Sequence, residues 1–153
     1  MCNDKSMVFV GDFTDTTGGY SINATDIYTV KYDSMGTLTW FNKVSMIDSF
    51  NIKRRIDLRG VSIDQDGSIV SVGQITEKVG GENFLTIKYD KLGKEVWRRT
   101  YSFIQESWQD FALDVVTDDE NNVYVGGWGV GEGPGWGPSI VKYTANGDKL
   151  WSY

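Results

Sequence analysis

The sequence predicts an all-β fold made of about three antiparallel units of four strands. Three observations carry this expectation. The chain writes one phrase three times. The residues around it alternate with a period of two. Glycine is frequent, 18 of 153 residues, and proline is rare, with two. That balance suits short strands joined by turns. No stretch has convincing helical spacing.

The phrase is clearest as Ile140-Val141-Lys142-Tyr143-Thr144-Ala145-Asn146-Gly147-Asp148-Lys149-Leu150-Trp151. It stands earlier as Thr86-Ile87-Lys88-Tyr89-Asp90-Lys91-Leu92-Gly93-Lys94-Glu95-Val96-Trp97. It stands first as Thr29-Val30-Lys31-Tyr32-Asp33-Ser34-Met35-Gly36-Thr37-Leu38-Thr39-Trp40. Trp40, Trp97 and Trp151 are 57 and 54 residues apart, and the tyrosines and glycines share those spacings. A fixed period of this size marks repeat architectures. Each phrase reads as a β-hairpin. Tyr28, Val30 and Tyr32 fall on one side, and Ile27, Thr29 and Lys31 on the other. Asp-x-x-Gly (Thr-x-x-Gly in the last copy) then supplies the turn. Asp bonds the backbone two residues on, and Gly takes a positive φ.

The remaining elements follow in order. Asn3-Asp4-Lys5-Ser6 is a polar turn, and Met7-Val8-Phe9-Val10-Gly11 is an apolar strand after it. Gln65 to Gly73 and Glu120 to Gly126 have the same form. In those two copies another strand precedes the turn, near 58–64 and near 112–117. The first copy has none. A full unit therefore reads as inner, second, third and outer strands. The second strands are expected near 7–12, 69–75 and 123–128. The third are expected near 27–33, 84–90 and 139–144, and the outer near 37–44, 94–101 and 148–153. Eleven strands result. The short turns fall at one end of the sheets. The long loops, 12–26, 45–57, 74–83, 102–111 and 129–138, fall at the other. In repeat proteins such insertions collect on one face, often the binding face.

Four antiparallel strands in about 54 residues are the arithmetic of a β-propeller blade. The chain resembles the bacterial β-propeller repeats of the SBBP type. Their Lys-x-Asp-x-x-Gly-x-x-x-Trp hairpin is matched by Lys31, Asp33, Gly36 and Trp40, and by Lys88, Asp90, Gly93 and Trp97. Lys142, Gly147 and Trp151 match with Thr144 in place of Asp. Their Asp-x-x-Gly-Asn-x-Tyr-Val-x-Gly hairpin is matched in part by Asp64 and Gly67, and by Asn122, Tyr124 and Val125. Glu120-Asn121 departs from it. The resemblance implies a single domain, 1–153, with blades near 1–44, 58–101 and 112–153, the first lacking its inner strand. It implies a scaffold without catalytic residues, and an extracytoplasmic or cell-surface setting.

Propellers close with about four to eight blades. Fewer than three and a full ring do not agree. The expectation is a piece of a longer chain, or a homodimer completing a six-bladed ring. A row of blades left open would expose apolar faces and strand edges.

Composition limits the chemistry. The formal net charge is −6, which disfavours nucleic-acid binding. Lys53, Arg54, Arg55, Arg59, Arg98 and Arg99 read as solvated charge. The chain has no histidine and one cysteine, Cys2. Ser-His-Asp and Cys-His sites and the common zinc sites are excluded as complete sets within it, as is an intrachain disulfide. No run has the length of a membrane span. Cys2 reads as a free thiol, with a lipid-acceptor role as the alternative. Asn23-Ala24-Thr25 is a glycosylation sequon in a loop.

The candidate site residues are aromatic. Trp40, Trp97 and Trp151 recur with the phrase and read as packing. Trp108, Trp128 and Trp136 do not recur, and they lie in or beside long loops. They are the ligand-binding candidates, since exposed aromatics stack on sugars or peptide partners. The stretch Trp128 to Pro138 contains Gly-x-Gly-x-Gly, but a phosphate loop needs a helix after it, and here a strand follows. Asp64 to Gly67 and Asp118 to Asn121 are too short for calcium loops and read as turns. Asp110 and Asp114 are weighed as a glycosidase-like pair. No metal and no cofactor are expected. The function read from the sequence is a non-enzymatic binding scaffold with a ligand face made by the long loops. A carbohydrate-binding module is one alternative and a propeller-fold hydrolase fragment is the other.

Overall fold

The computed structural model describes residues 6–14, 25–45, 54–76, 81–103, 109–130 and 135–153. These residues form eleven strands and no helix. The strands are β1 (Met7–Thr14), β2 (Thr25–Tyr32), β3 (Leu38–Ser45), β4 (Ile56–Ile63), β5 (Ile69–Thr76) and β6 (Glu82–Tyr89). They continue as β7 (Glu95–Tyr101), β8 (Phe111–Thr117), β9 (Val123–Val130), β10 (Trp136–Tyr143) and β11 (Lys149–Ser152). They make three antiparallel sheets: β1-β2-β3, β4-β5-β6-β7, and β8-β9-β10-β11. Each strand pairs with its neighbour in sequence, so each sheet is a meander.

The turns explain the meander. Asp33 Oδ1 accepts hydrogen bonds from the Met35 and Thr37 amides, both at 2.8 Å. Asp90 does the same for Leu92 and Lys94, and Asp64 for Asp66 and Ser68. Gly36, Gly67, Gly93 and Gly147 then reverse the chain at φ of 80 to 85°, where a Cβ is unfavourable. At the fourth position of the β8–β9 turn stands Asn121, with φ 61°. Asn tolerates that region, so the departure from Gly keeps the turn. The hairpins β2–β3, β6–β7 and β10–β11 shift register at one place, between Lys31/Tyr32, Lys88/Tyr89 and Lys142/Tyr143.

The second sheet is packed on both faces. Ile69, Ile75, Leu85, Ile87 and Tyr89 pack with Ile27 and Val44 of the first sheet. Val70, Val72, Phe84 and Trp97 pack with Val123, Val125, Val141 and Tyr143 of the third. Burial on both faces replaces alternation by the near-continuous run Ile69-Val70-Ser71-Val72. Each fully buried large side chain is worth about 1.5–3 kcal/mol. The first and third sheets share neither cluster.

The long loop expected over 129–138 is shorter than that. β9 continues to Val130, β10 starts at Trp136, and Gly129 pairs with Gly137. The reason is a close approach. A Cβ at Gly129 would meet Asp110 Oδ1 at 2.7 Å. Here glycine makes room inside a hairpin, where its frequency reads in sequence as a loop.

Candidate functional site

The site is the outer face of the third sheet, the face turned away from the second. Pairing defines it. Phe111 is opposite Trp128, Trp128 opposite Pro138, and Val130 opposite Trp136. Directly paired residues share a face. Tyr124 and Lys142 are opposite each other, and so are Lys142 and Trp151. One face thus carries Phe111, Trp128 and Trp136 at its loop end, and Tyr124, Lys142 and Trp151 at its turn end.

At the loop end the rings of Phe111 and Trp136 are stacked, with centroids 5.4 Å apart and planes at 24°. Trp136 is 49% exposed and Trp128 47% exposed. Trp128 stands on β9, within the strand expected near 123–128, and Trp136 stands on β10 where a loop was expected, because the β9–β10 hairpin is longer. Trp108 lies outside the described residues, as do Cys2, Asn23, Ala24 and Lys53. The sequence does not single out Phe111, which ends the long loop expected over 102–111. Its signal is position: the first strand residue after Asp110, paired to a tryptophan.

Asp110 holds this end in place. It is fully buried. Its Oδ1 accepts from the Val130 amide at 3.2 Å, and its Oδ2 from the Phe103 amide at 3.0 Å. Its own amide donates to the Glu82 carbonyl. The carboxylate ties β9 to the segment before β8, which accounts for it as a structural group. Asp114 bonds the Val115 amide and is exposed.

At the turn end the Lys142 ammonium lies 4.5 Å from the Tyr124 ring centroid and 3.6 Å from Asp118 Oδ2. Hydrogen bonding to Tyr124 is the first cause that raises the Lys142 pKa above its ordinary value, and Asp118 contributes in the same direction. Asp118 is held down to about 2, first by the hydrogen bond from the Asn122 side chain. The Asn122 and Glu120 amides and the Tyr124 hydroxyl assist. These acceptor sites are used by the turn. Trp151 stands beside them, 6.0 Å from Tyr124 and 5.6 Å from Tyr153 between ring centroids. It is 36% exposed, whereas Trp97 at the same place in the phrase is 6% exposed.

This arrangement presents flat apolar rings with few free polar groups, a surface suited to stacking and burial. Among the described residues no group of three or more His, Cys, Asp or Glu side chains could hold a metal ion. No helix among them is long and apolar enough to cross a membrane. No protein-family model matches the chain, and no curated protein matches it.

Proposed function

We propose that this chain is a non-enzymatic interaction scaffold built of β-propeller-type blades. Its binding surface is the aromatic end of the third sheet, beside the long loops. The observation that carries the reading is the stacked pair Phe111 and Trp136, in which Phe111 is partly covered and Trp136 half exposed, with the half-exposed Trp128 alongside. Aromatic side chains of this size are normally covered, and a group left on one flat face marks an interaction site. The propeller part rests on the 57- and 54-residue spacing and on the four-stranded meander.

Carbohydrate is the second reading, favoured by the half-exposed indoles of Trp128 and Trp136. Sugar rings stack on such planes. A glycan array probed with the 153-residue chain tests it. Binding that is lost in Trp128→Ala and in Trp136→Ala, with the far-ultraviolet spectrum unchanged, supports the carbohydrate reading. Binding that survives both substitutions, or no binding at all, removes it.

A further inference from the structure

We propose that a second copy of this chain docks its first sheet on the third sheet, seating Trp151 on Gly36 of that copy. This rests on the interaction-scaffold reading and names its partner.

The two sheet-to-sheet contacts inside the chain are the same contact made twice. Between the first and second sheets, the ring of Trp40 covers Gly93, and a Cβ there would stand 2.8 Å from ring carbons. The Trp40 indole N–H donates to the Lys91 carbonyl at 3.2 Å, and its ring lies 6.4 Å from Tyr89. Asn42 Nδ2 donates to the Gly93 carbonyl at 2.8 Å. Between the second and third sheets, Trp97 covers Gly147, at 2.7 Å from the same hypothetical atom. The Trp97 indole N–H donates to the Ala145 carbonyl at 2.9 Å, and its ring lies 5.8 Å from Tyr143. Arg99 Nε donates to the Gly147 carbonyl at 2.8 Å. Lys88 adds its ammonium, 3.4 Å from the Ala145 carbonyl.

Each contact needs two halves. One is a Lys and a Trp across a hairpin. The other is a turn with its glycine and the tyrosine before it. Three copies of each half are present, and two contacts are made. The remaining halves are Lys142 with Trp151 on the third sheet, and Tyr32 with Gly36 on the first. Nothing stands within 4 Å of where a Cβ of Gly36 would be. Both faces carry exposed apolar side chains, beside the Lys43–Asp26 pair on the first sheet and Asp114 on the third. Met7, Phe9 and Phe41 are exposed on the first sheet, and Val116, Trp128 and Trp136 on the third. The halves sit on opposite ends of the row, so one molecule offers its Trp where the next offers its Gly. The contact is head to tail, which closes into a ring or runs on. In it the Ser34 carbonyl takes the place of the Lys91 and Ala145 carbonyls as acceptor for the indole N–H.

Sedimentation velocity on the 153-residue chain tests this, over a concentration series to about 100 μM, well above a micromolar dissociation constant. The wild type is expected to associate. Trp151→Ala removes one half and should weaken association about tenfold or more, as buried tryptophan anchors do. Gly36→Asn removes the other. Asn tolerates the positive φ, and its side chain has free space in the single molecule but meets the indole of a docked copy. At concentrations near the wild-type dissociation constant, each variant alone should be monomeric with an unchanged far-ultraviolet spectrum. Mixed in equal amounts, the two should form a heterodimer, because one chain retains Trp151 and the other retains Gly36. A monomeric wild type at every concentration would overturn the proposal. So would association that both substitutions leave intact, or variants that do not complement. Glycan binding through Trp128 and Trp136 is read separately, in the monomeric variants, so its loss is not confused with loss of docking.

Discussion

The indole of Trp40 lies on Gly93 so closely that the glycine has no room for a side chain; a Cβ would stand 2.8 Å from the ring. This turn therefore does two things. Gly93 reverses the chain at φ 85°, and it forms the floor under a tryptophan from another sheet. The Asp33 to Gly36 turn has the same backbone, φ 80°, with open space above it.

The pair separates backbone strain from packing. Gly36→Ala should cost about 1 kcal/mol, the penalty of a Cβ at positive φ. Gly93→Ala adds the collision with Trp40 and should cost roughly 2–4 kcal/mol in all. Thermal unfolding of the two variants under conditions where the wild type is monomeric checks this. Equal losses would mean that Trp40 moves aside freely and that the contact contributes little.

That difference between two alike turns was not readable from the sequence. The turns themselves were. Asp-x-x-Gly is local chemistry, complete within five residues, and the strands flanking it alternate as written. Even Asn121 follows, since it is the residue best able to replace Gly67 in its backbone role. The partner of each face is a different matter. That Lys31 and Trp40 look toward Tyr89, and Lys88 and Trp97 toward Tyr143, is decided by sheets packing across 50 or more residues. The site failed for a related reason. Gly129, Gly135 and Gly137 suggest a loop, but two of them pair across a hairpin because buried Asp110 approaches Gly129. A contact of that kind leaves no trace in the neighbouring residues, so the sequence shows Trp136 as a loop residue and gives no signal for Phe111.

Tyr89 gives a dependence on alkaline pH. Burial pushes its phenol from the ordinary 10.0 up to about 12. The charged form is disfavoured in the folded state, so unfolding releases the proton more easily. The stabilising contribution is whole below about pH 10 and is lost as pH rises toward 12. Burial raises Tyr143 in the same direction. Tyr89→Phe has no proton to lose. Its melting temperature should fall less than that of the wild type between about pH 9 and pH 11. Melting curves that decline in parallel across this range would show that the Tyr89 phenol ionises without unfolding.

The two lysines of the phrase give the last prediction, because the same side chain sits in two environments. Lys88 pairs with Asp64 at 2.9 Å, with side-chain exposures of 6% and 1%. Lys142 pairs with Asp118 at 3.6 Å on the outer face, with side-chain exposures of 16% and 30%. Removing one member of a buried pair strands the other charge away from water, a loss of about 3–5 kcal/mol. Removing one member of a pair that water reaches, as it does the partly exposed Lys142–Asp118 pair, typically costs about 0.2–1 kcal/mol, since water replaces the partner. Lys88→Met should therefore destabilise several times more than Lys142→Met, with methionine keeping most of the volume in both. Asp64 also accepts the Asp66 and Ser68 amides, which limits the loss without removing it. Combining Lys88→Met with Asp64→Asn removes the stranded charge while leaving an oxygen for those amides, and should recover part of the stability. Urea unfolding of the three variants measures this. If Lys88→Met and Lys142→Met cost the same, the Lys88–Asp64 pair is reached by water and the packing of the second sheet against the third is looser than its geometry indicates.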